Sequence, residues 1–164
     1  MWAQIDGLDV GVWSNQYTRE AGWGVPQLVQ SNATFHDLAI NASGVAVAVW
    51  TKSDAIQETV WSSRYTPGIG WDVADQVAVG FSGEVRSPKV GIDDQGNAIA
   101  LWEQGGYHHS LWSNRCTPSS GWGEPELVSA ESKGFALGVD PDGDATAVWA
   151  SASGRPGTWA NRYE

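Results

Sequence analysis

The sequence predicts an all-β repeat protein built from four-stranded antiparallel units, and three observations carry that expectation. The 11 tryptophans fall into three registers, Trp2, Trp50, Trp102 and Trp149; Trp13, Trp61, Trp112 and Trp159; and Trp23, Trp71 and Trp122, spaced by 47 to 52 residues within each register. Short segments alternate apolar and polar residues with period 2, the signature of strands and not helices. Gly, Pro, Asn and Asp punctuate those segments at matching places in every copy.

Taken in order, each unit has an alternating strand, NASGVAVAVW at 41–50, DDQGNAIALW at 93–102 and DPDGDATAVW at 140–149. A tryptophan strand follows as VWSNQYT at 12–18, VWSSRYT at 60–66, LWSNRCT at 111–117 and TWANRY at 158–163. A Gly-Trp turn then leads into an outer strand at 22–23, 70–71 and 121–122. In the middle copy the expected strands are Ser87 to Ile92, Asn97 to Gln104, Ser110 to Thr117 and Trp122 to Ser129. The first two are joined through Asp93-Asp94-Gln95-Gly96, where glycine suits the positive φ of a tight hairpin. Counted from tryptophan to tryptophan, the units run 2–49, 50–101 and 102–148, with a partial fourth at 149–164, in one repeat domain.

Four-stranded sheets repeated every ~50 residues are the pattern of β-propeller blades; a β-trefoil or β-prism also fits three such units. Propellers close with about four to eight blades, so three units should not close alone. The chain starts and stops in the same part of the unit, and the expected solution is self-association, a dimer completing a six-bladed ring.

Composition narrows the partners. Nine Lys and Arg against 19 Asp and Glu give a formal charge of −10, which disfavours nucleic acid and anionic membrane surfaces. No apolar run nears the roughly 20 residues of a membrane span, and the first residues lack the regions of a signal peptide. Cys116 has no partner for an intramolecular disulfide, which leaves the compartment open; the Trp, Gly, Ser and Asn content suits an extracellular or cell-surface bacterial setting.

The segment LWSNRCTPSSGWGEPELVS at 111–129 resembles the blades of Trp-rich bacterial β-propellers, including the seven-bladed fucose-binding lectins and, more distantly, the Asp-box repeats of sialidase-like propellers. The resemblance implies a propeller-like array. It departs from the Asp-box order in DDQGNAIALW, whose Trp comes six residues after the Gly, and in the Asn41 that replaces the leading Asp of the first copy. A shared fold does not bring sialidase activity with it.

The tryptophans that follow small Ala and Val residues read as core. The tryptophans of the W-S-N-R strand, Trp13, Trp61, Trp112 and Trp159, lie in sequence beside Asn15, Asn114 and Asn161 and the cations Arg64, Arg115 and Arg162. An indole face with amide and guanidinium donors is what sugar recognition needs; the same groups could instead lock one blade to the next. The expectation is a non-catalytic, carbohydrate-binding module with several weak sites, the alternative a self-assembling scaffold, and third a glycan-cleaving enzyme. No nucleophile elbow, P-loop or dinucleotide motif is present, and no cofactor is implied. Asp140, Asp142 and Asp144 around Gly143 read as a hairpin turn, since position 12 of a calcium loop would fall on Ser151. His108-His109 reads as a solvated loop without a second cluster of metal ligands.

Overall fold

The computed structural model describes residues 1–6, 9–53, 57–78, 83–106, 109–151 and 157–163. They form five antiparallel sheets, four larger ones in chain order and a separate two-stranded ladder beside the first. The first contains Trp2–Asp6, Asp9–Ser14 and Gln27–Ser31, with a small ladder of Tyr17–Thr18 and Gly22–Trp23. The second runs Thr34–Ile40, Ala46–Ser53 and Glu58–Thr66, with Gly70–Trp71 and Asp75–Gln76 both against the last of these. The third runs Glu84–Ile92, Ala98–Gly105 and His109–Thr117, with Gly121–Trp122 and Glu126–Ser132 on its outer side. Phe135–Val139, Ala145–Ala150 and Thr158–Tyr163 make the fourth.

The strands read from the middle copy are present with modest shifts. The first begins earlier, at Glu84, because a bulge between Arg86 and Lys89 lets it continue; Ser87 there has a φ of 53°, and Pro88 has no N–H to donate. The last is interrupted after Trp122, because the Gly123 N–H turns back to the Arg115 carbonyl at 2.8 Å and Pro125 then precedes the strand Glu126–Ser132. The tryptophan-to-tryptophan units do not coincide with the sheets. Trp50, Trp102 and Trp149 lie inside the strands Ala46–Ser53, Ala98–Gly105 and Ala145–Ala150, so boundaries at 50, 102 and 149 would cut hydrogen-bonded sheets. A tandem period has a length but no phase.

The hairpin turns repeat one chemistry. The Oδ1 of Asn41 accepts the N–H groups of Ser43 and Val45, that of Asp93 accepts Asn97 N–H, and that of Asp140 accepts the N–H groups of Asp142, Gly143 and Asp144. An acceptor at the first turn position satisfies backbone donors the ladder leaves free, and asparagine does this as well as aspartate. The Asp140 segment is therefore a hairpin turn, with Asp144 held by Arg162 at 2.6 Å.

Alternation sorts each sheet into two faces. Ala46, Ala48 and Trp50 point one way and Val47 and Val49 the other; Ala98, Ala100 and Trp102 oppose Ile99 and Leu101 in the same manner. The tryptophan faces of the second, third and fourth sheets each pack on the aliphatic face of the sheet before them. Trp50 and Ala48 meet Val12 of the first sheet, Trp102, Ala98 and Ala100 meet Val47, Val49 and Val60 of the second, and Trp149 with Ala145 and Ala147 meets Ile99, Leu101 and Leu111 of the third.

Polar contacts tie the sheets together as well. Val90 N–H donates to Asp37 Oδ2 at 3.0 Å, and Asn41 Nδ2 donates to the Asp93 carbonyl at 3.1 Å. Beside Asp37, burial holds the His36 imidazole below its ordinary pKa, helped by the N-terminal ammonium and Lys89 and opposed by Asp37. A histidine depressed in the fold binds its proton more readily once unfolded, so its contribution to stability is present above pH ~6.5 and fades as the pH falls through that value. The expected outcome is that His36→Gln flattens the loss of urea midpoint between pH 7 and 5.5; an unchanged slope would show that His36 is not its source.

Candidate functional site

The junctions between successive sheets carry the same cleft, built from the same positions of the repeat. Between the first and second sheets a cavity of about 300 Å³ is lined by Ser14, Asn15, Gln16 and Gln27 on one wall and by Tyr65 and Gly70 on the other. Between the second and third, about 240 Å³ lies between Ser62, Arg64 and Asp75 and the facing Cys116, Gly121 and Trp122. The third junction holds two smaller cavities, of about 190 and 130 Å³, both lined by Ser113, Glu126 and Tyr163.

In repeat terms, one wall always presents a serine (Ser14, Ser62, Ser113), a long polar residue two places on (Gln16, Arg64, Arg115) and an acid or amide at the start of the outer strand (Gln27, Asp75, Glu126). The opposite wall presents Tyr65, Cys116 or Tyr163. The Gly-Trp turn roofs the first two clefts: Trp71 Nε1 donates to Ser14 Oγ at 2.9 Å and Trp122 Nε1 to Ser62 Oγ at 2.7 Å, each reaching back one sheet. Tyr65 stands edge-on to Trp71 with ring centroids 5.5 Å apart, and Tyr17 repeats the pairing with Trp23. Burial pushes the Cys116 thiol above its ordinary pKa, although Arg64 beside it pulls the other way.

The residues singled out from the sequence divide between these clefts and the packing. Trp61 and Trp112 sit directly across the ladder from Trp50 and Trp102, partly buried at the preceding junction, and their indole N–H groups are held by Thr59 Oγ1 and Ser110 Oγ, both at 2.8 Å. Trp13 and Trp159 occupy the same register opposite Trp2 and Trp149. None of these four tryptophans lines the junction clefts described above.

Asn15 and Asn114 are turn clips. Asn15 Nδ2 donates to the Gly24 carbonyl and Asn114 Nδ2 to the Gly123 carbonyl, and in the second copy Ser63 Oγ does the same to Asp72. Asn114 also donates across the junction to the Val77 carbonyl and accepts the Arg115 N–H, both at 2.7 Å, so its amide is committed. Arg64 donates to the Gly96 carbonyl of the next sheet at 2.7 Å, Arg115 lies 4.0 Å from the centre of the Tyr163 ring of the next sheet, and Arg162 pairs with Asp144 of its own sheet. Asn161 and Arg162 both line the third junction.

Trp61 and Arg64, or Trp112 and Arg115, therefore do not share a surface. Residues three apart on a strand point to opposite faces, so the Arg of one sheet meets the tryptophan wall of the following sheet instead. Trp122, Tyr65, Tyr163, Asp75 and Glu126 line the clefts and were not singled out from the sequence. The period-2 rule applied across the repeat would have pointed to them. His109 is buried, with its Nδ1 2.6 Å from Arg86 NH2, whereas His108 lies outside the described residues. Among the described residues no group of three or more His, Cys, Asp or Glu is placed to hold a metal ion.

No family model and no curated protein matches the chain. Among solved structures it is similar to a protein of unknown function from Dyadobacter fermentans DSM 18053, with a TM-score of 0.68 and 14% identity over 98% of this chain and 50% of that one. It is also similar to Hadza microbial sialidase Hz136, with a TM-score of 0.55 and 14% identity over 81% of this chain and 35% of that one. The chain thus spans half of the first and about a third of the second. At this identity the likeness is one of fold: all-β, with antiparallel strands in several sheets.

Proposed function

We propose that the chain is a non-catalytic carbohydrate-binding module whose sheets are propeller-type blades and whose sites are the clefts between them. The observation that carries this reading is the threefold recurrence of one cleft with a hydroxyl, an amide or guanidinium, and an amide or carboxylate on one wall and an aromatic residue, Tyr65, Trp122 or Tyr163, on the other. Pyranose hydroxyls want planar partners in fixed positions, and their C–H faces stack on rings. The clefts are shallow and differ in charge, the first being lined by no charged side chain. Weak individual sites of this kind gain strength when several engage one glycan.

The test is calorimetric titration with sugars that score on a mixed glycan array. The expected result is up to three sites per chain, each with Kd of order 1 mM, about −4 kcal/mol. Gln27→Ala, at an exposed position, should remove one site with a change in melting temperature below about 2 °C. Silence across the whole array would reject the reading. Trp61→Ala and Trp112→Ala are poor probes here, because both rings are packing elements and their loss should lower stability before it reports on a ligand.

A second reading, a scaffold without a small ligand, is favoured by the commitment of Asn114, Arg64 and Arg115 to contacts between sheets. It predicts a stable assembly that is silent on the same array. Hydrolysis is the third, and release of reducing sugar from mixed glycosides would establish it.

A further inference from the structure

The rule that stacks the sheets leaves one half of its interface open at each end of the array. The first sheet presents a tryptophan face that no sheet of the described residues covers: Trp23 is 70% exposed and Leu28 51%, while Trp50 and Trp102, in register with Trp2 of that face, are 0% exposed. The fourth sheet presents the opposite face, on which Val148 stands with Thr146 and Thr158. Val148 is 37% exposed, while Val49 and Leu101, which hold the same place before the tryptophan of their strands, are 0% and 1% exposed.

We propose that these two faces bind each other between two copies of this chain, head to tail, closing a ring of eight sheets. The inference is independent of whether the clefts hold a sugar. Three junctions within the molecule already show a tryptophan face seated on an aliphatic face, and the open ends are the two halves of a fourth. Four sheets per chain make eight for two copies, within the range of about four to eight over which propellers close. A heterologous contact of this kind gives a finite assembly when the rotation closes and a filament when it does not.

Three positions of the fourth sheet's open face depart from the repeat. Thr146 and Thr158 stand where Ile99 and Leu111 pack in the third sheet, and Ala160 stands where Ser14 and Ser62 accept the N–H of the following tryptophan, so Trp23 of the second copy finds no hydroxyl at Ala160 and the pairing is less apolar than the internal junctions. Each chain carries a formal charge of −10, so salt should strengthen the pair by screening.

Light scattering on a sizing column, from about 1 to 100 μM, is the experiment. A discrete dimer that persists at high salt is expected, and Ala160→Ser should tighten it by about 25-fold through one added hydrogen bond at each of the two junctions. Trp23→Asp and Val148→Asp, both at exposed positions, should each run as monomers with unchanged melting. Mixed one to one, they should regain a dimer, because the mixture restores one junction with both wild-type faces. A monomer across the range, a ladder of larger species, or a dimer that survives Val148→Asp would overturn the proposal, the last by showing that the copies meet through like faces.

Discussion

Replacing Trp102 with alanine is expected to lower the unfolding free energy by about 3–5 kcal/mol, read from urea denaturation. Its indole is wholly buried at the second junction among Val47, Val49, Val60, Val90 and Ala100, and its N–H is held by Gln104 Oε1 at 3.1 Å. Removing it takes away one of the largest apolar surfaces in the molecule and leaves a void that two hydrogen-bonded sheets cannot both collapse into. Trp23→Ala is the control. With its ring mostly exposed, it should cost less than about 1 kcal/mol in the monomer. Equal losses at the two positions would mean that the stacking of sheets is not what makes the tryptophan register necessary.

The second large effect is expected at Gly91, where the innermost strands of the third and fourth sheets approach each other. A Cβ built there would overlap Val139 Cγ2 and lie 2.7 Å from Val139 Cβ. Gly91→Ala should therefore force Glu84–Ile92 away from Phe135–Val139 and cost about 1–3 kcal/mol, despite alanine's lower conformational entropy. Val139→Ala removes the overlapping methyls, so the double variant should be more stable than the sum of the single losses by about 1 kcal/mol. Gly138→Ala, with nothing within 4 Å of the added carbon, should fall within about 0.5 kcal/mol of wild type. Strict additivity between Gly91 and Val139 would remove the contact as the cause.

Much of the fold could be read along the chain because its signals are local. The turn at Asp93 to Gly96 was legible from an acceptor side chain followed by glycine, and Gly44, Gly96 and Gly143 hold φ values of 82°, 86° and 102° there. The alternation at Ala98–Gly105 announced a strand with a small-residue face and a large one. The early start at Glu84 was not legible, because a bulge admits a residue that breaks the alternation.

The candidate site was legible only in part. The W-S-N-R motif marked the right strand, yet its neighbours in sequence are not neighbours on a surface: Trp112 faces the preceding sheet and Arg115 the following one. The repeated asparagine reads as a ligand donor along the chain, and at Asn114 the same amide clips a turn, a role Ser63 fills in the second copy. That exchange was the available clue, since a hydroxyl and an amide interchange readily when all that is needed is one donor to a backbone carbonyl.

The period, the turns, the strands and the two unlike faces of each sheet depend on side chains within a few residues of one another along the backbone, and so are written in the chain. Where a sheet begins, which walls share a cleft and which faces are left uncovered follow from how the sheets pack. The residues that meet there, Trp71 with Ser14 and Trp122 with Ser62, are 57 and 60 positions apart. Contacts at that separation are selected by the burial of whole faces, a property of the stack that no short window of sequence contains.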